Sequence, residues 1–309
     1  MNRFADDVRE YLQRTPRQLP SKYFYDELGS ALFDAICHLP WYRITRGESA
    51  LLARHGRDIL QPLRGPVHLG ELGCGNGEKV ELLAAGARGP LGLIQLVDIS
   101  PAALEAASSR LQALESGGLL AHHATYEVGL DLIARHRPPA GALLLLFLGS
   151  NIGNFDPPVG KDLLRRMRAV LRPGDALLLG SDLVKPEADL LLAYDDPLQV
   201  TAAFNRNLLR RINDELGGTF VLEGFAHRAV WNRDERRVEM HLVSVRRQQV
   251  RVEAADVELT FEAGESIWTE SSHKYEVSQI LEEGRAAGFG PAEQWVDASA
   301  RFALTRFDV

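Results

Sequence analysis

Gly73, Gly75 and Gly77 recur at every second position in the stretch from Val67 to Lys79, between an apolar run entering and an amphipathic run leaving. Glycines so spaced let a backbone turn sharply and come within contact distance of a ligand, where a following helix can offer unpaired amides. About twenty residues on, the apolar run Leu93 to Asp98 ends in a carboxylate. Strand, glycine turn, helix, strand and acid form the Rossmann-type order, with a ligand over the first strand end and its ribose hydroxyls on the acid. A glycine turn alone is equally a structural turn, so the residues around it decide. Gly149 to Asn154 follows a third apolar run, and Asn154 is the side chain there best suited to face a ligand, since the glycines already supply the turn. Tyr25 and Tyr42 carry hydroxyls that need partners if buried, which makes them candidates for a polar pocket wall. Glu270 and Ser272 stand two apart in a strand-like segment, so they share a face; taken alone, Glu270 reads more simply as a surface charge. His122 and His123 are adjacent rather than three or four apart, a spacing that suits solvated histidines and not a metal. Cys37 and Cys74 suggest neither a disulfide framework nor a metal site, and read as small residues in a reducing cytoplasm.

The elements that must carry these residues follow from periodicity. At 309 residues, 45% apolar and 25% charged, the chain has the composition of a soluble globular protein with a sizeable core. A net charge of -7 and a pI near 5.8 argue against a nucleic-acid polyanion and for a small substrate. The first residues show no apolar signal core, and no later run reaches the roughly 18 to 20 apolar residues of a membrane helix. A cytoplasmic location without membrane contact is the expectation. Helices are predicted over 48–60, 78–86, 101–116 and 161–171, and strands over 67–72, 92–98, 119–128, 142–148 and 176–180. Alternating strands and helices imply a parallel sheet with right-handed crossovers. From 189 the rhythm breaks into helix, then alternating strands over 220–252 and a hairpin-like turn at 262–265. Two strands at 292–297 and 302–307 predict a sheet finished by an antiparallel hairpin. The fold class expected is therefore α/β, a Rossmann-like seven-stranded sheet of the methyltransferase type with a smaller α+β subdomain. Residues 48–184 with 275–309 are expected to bind the cofactor, and 1–47 with 185–274 to cover the crevice and bind substrate.

Several segments together resemble the histidine-specific N-alpha-methyltransferases of ergothioneine biosynthesis: 23–30, 39–46, 71–79, 147–154, 193–196, 238–242 and 268–272. The likeness runs nearly the whole length, and several of these segments lie outside the generic cofactor fold. It implies S-adenosylmethionine as methyl donor and free histidine as acceptor, methylated three times on its alpha-amine. By the same resemblance Gly73, Gly75 and Lys79 belong to the cofactor loop, and Asp98 takes the ribose hydroxyls. Tyr42 stands beside the imidazole, Gly149 lies at the substrate, and Asn154 and Tyr194 hold the amine and carboxylate. Met240, Glu270 and Ser272 shape and hydrogen-bond the side-chain pocket. Asn154 and Tyr42 are the expected catalytic pair, no metal is implied, and a monomer is expected. The chain departs from the family at Thr125-Tyr126-Glu127, where an aspartate and phenylalanine for the adenine are usual; Tyr126 is the substitute expected to stack. Trp41 and the Arg43-Ile44 pair also differ. Two alternatives stay open on the sequence: the same reaction on another amino acid such as tryptophan, and a non-catalytic partner protein with the cofactor fold.

Overall fold

The computed structural model describes residues 3–309; Met1 and Asn2, part of the opening stretch read for a signal segment, lie outside the described residues. In chain order the elements begin with α1 (Arg3–Leu12), β1 (Arg17–Gln18) and α2 (Glu27–Cys37). An alternating series follows: α3 (Arg43–Leu60), β2 (Val67–Leu72), α4 (Glu78–Ala84), β3 (Ile94–Asp98), α5 (Pro101–Leu111), β4 (Leu119–His123), α6 (Tyr126–His136), β5 (Ala142–Phe147), α7 (Pro157–Val170) and β6 (Ala176–Asp182). Then come α8 (Glu187–Tyr194), α9 (Val200–Leu216), β7 (Phe225–Asn232), β8 (Arg237–Ser244), β9 (Gln248–Val252), β10 (Val257–Phe261) and β11 (Ser266–His273). The chain closes with α10 (Val277–Ala286), β12 (Ala292–Asp297) and β13 (Phe302–Asp308). These elements group into two compact units: residues through Tyr42 with Lys185–Ser272, and Arg43–Val184 with His273–Val309.

The second unit holds the expected seven-stranded sheet, in the order β12-β13-β6-β5-β2-β3-β4. The pairs β2/β3, β2/β5, β3/β4 and β5/β6 are parallel, whereas β13 runs antiparallel to both β6 and β12. The continuous apolar run Ala142 to Phe147 is buried throughout because helices cover both faces of a parallel sheet. Leu143, Leu145 and Phe147 pack there with Leu72, Val97, Ile133 and Met167. Strand order reverses between β3 on one side of β2 and β5 on the other, the switch point at which α/β sheets open a crevice beyond their carboxyl ends.

One helix was not legible in the sequence. The expected strand 119–128 stops at His123, and Tyr126 opens α6. Thr125 takes an extended N-cap conformation, and Leu130 and Ile133 bury one face. Gly129 explains the missing periodicity: a Cβ there would lie 2.3 Å from Val97, so the helix meets the sheet through its backbone. Helix α5 ends at Leu111 rather than 116, and α7 starts earlier than expected, with prolines at its first positions, where a missing amide costs little.

In the first unit β1, β11, β8 and β7 form one sheet, and β10 pairs with β9 in another. The turn at 262–265 therefore does not close a hairpin, since the strands on its two sides belong to different sheets. Helix α9 packs on α2, where Asp26 caps the α2 amide of Gly29 at 2.7 Å and accepts from Asn207 at 2.7 Å. Phe24 stacks on Phe204 with ring centroids 4.5 Å apart.

Candidate active site

In the sheet unit, the turn after β2 is built from left-handed residues: φ is 76° at Gly73, 52° at Gly75 and 78° at Gly77. Gly73 and Cys74 donate to the Val97 carbonyl at 2.8 and 3.2 Å, which ties the turn to the end of β3. Asp98 closes that strand and accepts from Gly75 N at 3.1 Å and Ser100 N at 2.9 Å. Burial raises the Asp98 pKa, and the amides of Ser100, Gly75 and Ile99 pull it back down. A Cβ on Gly75 would meet nothing within 4 Å, so the turn is open there. On Gly73 it would lie 2.8 Å from Asn151 Nδ2 and 3.1 Å from the Tyr126 hydroxyl. Tyr126 thus borders the glycine turn, its ring edge-on to Phe147 at 5.2 Å and tilted against Phe155 at 6.0 Å.

Beyond β5 the backbone again goes left-handed, with φ of 74° at Gly149 and 59° at Ser150. Such a conformation in a serine needs support, and the Ser150 hydroxyl has it, accepting from Asp182 N at 2.9 Å. A single helical turn, Asn151–Asn154, follows and ends on the half-buried Asn154. Sequence reasoning missed the group that organises this end of the sheet. Glu48 of α3 is fully buried and takes Gly149 N on both oxygens, at 2.8 and 2.9 Å. Its carboxylate also pairs with Lys79 Nζ at 2.6 Å. A Cβ at Gly180 would lie 2.0 Å from Glu48 Oε1, so β6 must carry glycine to admit the carboxylate. Lys79 and Gly149, expected at cofactor and substrate, thus meet on one acid.

The α+β unit holds five of the expected residues. Tyr42 is buried and lies edge-on to Tyr194, ring centroids 6.2 Å apart. Burial, then the neighbouring Tyr194, Cys37 and Glu270, push the Tyr42 hydroxyl well above the ordinary tyrosine range, so it stays protonated. The Tyr194 hydroxyl donates to Ser272 Oγ at 2.8 Å. Ser272 is buried and Glu270 half-buried, and the alternation along β11 shifts phase after Glu270. Met240 is buried in β8, and its carbonyl lies 3.0 Å from Thr269 Oγ1. Gly73, Gly75, Lys79, Asp98, Tyr126, Gly149 and Asn154 all belong to the sheet unit.

A family model described as histidine-specific, S-adenosylmethionine-dependent methyltransferase matches residues 4–309. The chain belongs to that family. Over 302 residues it is 42% identical to the histidine N-alpha-methyltransferase of Mycobacterium tuberculosis (strain CDC 1551 / Oshkosh), covering 97% of this chain and 92% of the relative. Identity to the protein of the same name from Mycolicibacterium smegmatis is 40%, with the same coverage. Ergothioneine biosynthesis protein 1 of Schizosaccharomyces pombe is 30% identical over 90% of this chain, which spans 37% of that longer protein.

The residues present suit the donor this methyltransferase family uses. A ribose diol needs a carboxylate acceptor, and Asp98 offers one at the end of β3, beside a glycine turn with open space at Gly75. His122 and His123 stay apart in function: His122 Nε2 meets Gln95 Oε1 at 3.1 Å, and His123 Nε2 meets the Ile99 carbonyl at 3.0 Å. Among the described residues no cluster of three or more His, Cys, Asp or Glu is placed to hold a metal. No helix among them is long and apolar enough to cross a membrane.

Proposed function

We propose that the enzyme methylates the alpha-amine of free L-histidine in successive rounds, giving the N-alpha-trimethylated product as a step of ergothioneine biosynthesis. Residues 48–184 with 275–309 serve as the donor-binding domain and 1–47 with 185–274 as the substrate-binding domain. S-adenosylmethionine, when bound, supplies a methyl group already activated by the positive sulfur. What remains for the protein is positioning and desolvation, which in favourable intramolecular cases lower a barrier by ~7 to 11 kcal/mol.

In this reading Asp98 takes the ribose hydroxyls, Gly73, Gly75 and Lys79 form the rest of the cofactor loop, and Tyr126 lines the adenine side. Asn154 holds the amine. Its amide can both donate and accept, so it serves an amine whose protons are replaced one after another. Tyr194 and Gly149 attend the amino-acid head, and Met240 gives the pocket an apolar wall. The observation that carries the choice of histidine is the polar pair at the end of β11. Ser272 accepts from Tyr194, which directs it to act as a donor through its own proton, while the Glu270 carboxylate can only accept. A neutral imidazole has one acceptor nitrogen and one N–H and satisfies both. An indole has only the N–H and leaves the serine unmatched, which a desolvated site penalises. Tyr42, protonated throughout, adds an edge for the imidazole ring to pack against.

The experiment is mass spectrometry of a panel of free amino acids, tryptophan included, incubated with enzyme and S-adenosylmethionine. Histidine gaining successive methyl masses is the expected result, and methylation of tryptophan in preference to histidine would overturn the reading. Size-exclusion chromatography tests the further proposal of a monomer, and cell fractionation that of a cytoplasmic location.

A further inference from the structure

Behind Tyr194 and β11 runs a chain of buried polar side chains to which no role has been given. The Tyr194 carbonyl belongs to the last residue of α8, where helix carbonyls lack intrahelical partners. His227 Nε2, on β7, meets that carbonyl at 2.8 Å. On the other side of the ring, His227 Nδ1 meets Asn205 Nδ2 at 2.9 Å. The second hydrogen of the same amide nitrogen reaches the His241 carbonyl at 3.2 Å. Asn205 Oδ1 accepts from Thr269 Oγ1 at 2.8 Å, and Thr269 also lies 3.0 Å from the Met240 carbonyl. The Asn205 side chain is fully buried, as is that of Thr269, and the His227 ring is 1% exposed.

One protonation pattern satisfies every group in this chain. His227 must be neutral with its proton on Nε2, donating to Tyr194 and accepting from Asn205. A second proton on Nδ1 would require the Asn205 amide to turn over, which would aim its oxygen at the His241 carbonyl. Burial, joined by Arg206 on α9, holds the pKa of His227 below its ordinary value, against the bond to the Tyr194 carbonyl and against Asp195 and Asp196 beyond α8. Asp195 Oδ1 stands 4.0 Å from Nε2 and is half exposed, so it favours the charged form only weakly.

We propose that His227, Asn205 and Thr269 form a positioning relay that locks the end of α8 to β8 and β11, and so sets histidine affinity without any of the three touching the substrate. Tyr194 is held at its carbonyl by the relay and at its hydroxyl by Ser272, which fixes both ends of the residue. Thr269 stands next to Glu270, so the relay also holds the backbone from which that carboxylate projects. A slip of a fraction of an ångström at either point mismatches a donor and an acceptor set for imidazole. The inference rests on the α+β unit being the amino-acid pocket.

Three variants test it: Asn205→Leu, which removes all the amide's bonds; Thr269→Val, which removes only the hydroxyl; and Thr269→Ser, which keeps the hydroxyl that meets Asn205 Oδ1. Asn205→Leu and Thr269→Val are expected to raise the histidine KM about tenfold, the equivalent of one lost buried hydrogen bond, with kcat and S-adenosylhomocysteine affinity within about threefold. Thr269→Ser is expected to recover most of that affinity. An unchanged histidine KM in Thr269→Val, or a Thr269→Ser no better than Thr269→Val, overturns the relay. Thr269→Val alone decides the matter if Asn205→Leu does not fold. Glu270→Ala run alongside separates the two readings: if it too leaves the histidine KM unmoved, the pocket assignment has failed, whereas if only the relay variants are silent, the relay has.

Discussion

Glu71 offers a direct test of how the floor of the glycine turn is built. It lies in β2, 1% exposed, and neither carboxyl oxygen meets a hydrogen-bond partner. Burial pushes its pKa up to about 8; Lys79 opposes the shift, and Glu48 and Asp98 add to it. Lys79 is the main opposing influence, but its ammonium is also paired with Glu48. The folded protein therefore keeps a proton on Glu71 that the unfolded chain loses near pH 4.5. This stabilising contribution is fully present below that pH and is lost as pH rises to about 8. Linkage sets the slope at ~1.4 kcal/mol per pH unit while the two states differ by one proton. From pH 6 to pH 9 the loss is then about 3 kcal/mol, taken over the roughly two units below the folded pKa. Glu71→Gln abolishes the titration and exchanges it for a buried amide whose cost does not depend on pH. Urea unfolding of both proteins at pH 6 and pH 9 isolates the term, since the other groups titrate in both and cancel in the difference. The variant should gain about 3 kcal/mol on the parent between those pH values. A stability difference that stays constant, or that moves against the variant, refutes the assignment of a neutral Glu71.

Other perturbations follow from the same geometry. Glu270→Ala should raise the histidine KM well above tenfold, on the order expected for losing a charge-assisted hydrogen bond, while calorimetry finds S-adenosylhomocysteine binding intact; unchanged histidine kinetics would sink the specificity assignment. Glu48→Ala takes the acceptor from the Gly149 amide and the buried carboxylate from beside Lys79, and should cost about 3 to 5 kcal/mol of stability in thermal or denaturant unfolding, with Glu48→Gln milder because its amide oxygen still accepts from Gly149. Asp98→Ala should weaken S-adenosylhomocysteine about ten- to hundredfold in calorimetry, and a change under twofold would count against a ribose contact.

Much of this molecule is legible in its sequence because the relevant signals are local. The glycine turn, the apolar runs of β2 and β5 and the paired strands at the chain end each depend on neighbours a few residues apart, and each predicts its element. Helix α6 escaped because Gly129 packs by backbone contact with Val97, which erases the apolar position that periodicity requires. The turn at 262–265 misled for a different reason. Its local geometry is that of a hairpin, but which strands pair across it is settled by partners elsewhere in the chain, β9 for one and β1 and β8 for the other.

The buried polar residues of each unit were the least legible, and the cause is physical. Glu48 sits in an amphipathic helix where a glutamate ordinarily marks the solvated face, yet it is fully buried because Gly180 leaves room for it and because Lys79 and Gly149 satisfy it. Asn205 and Thr269 read equally well as surface residues and are buried because each supplies what the other lacks. Burial of such groups costs several kcal/mol unless partners are in place, so the fold that brings the partners together is a precondition for the residue to be there at all. The Glu48–Gly149 and Asn205–Thr269 bonds join positions 101 and 64 residues apart, and no short window along the chain contains that information. Substitution at these buried positions should therefore disturb substrate and cofactor groups that they never touch.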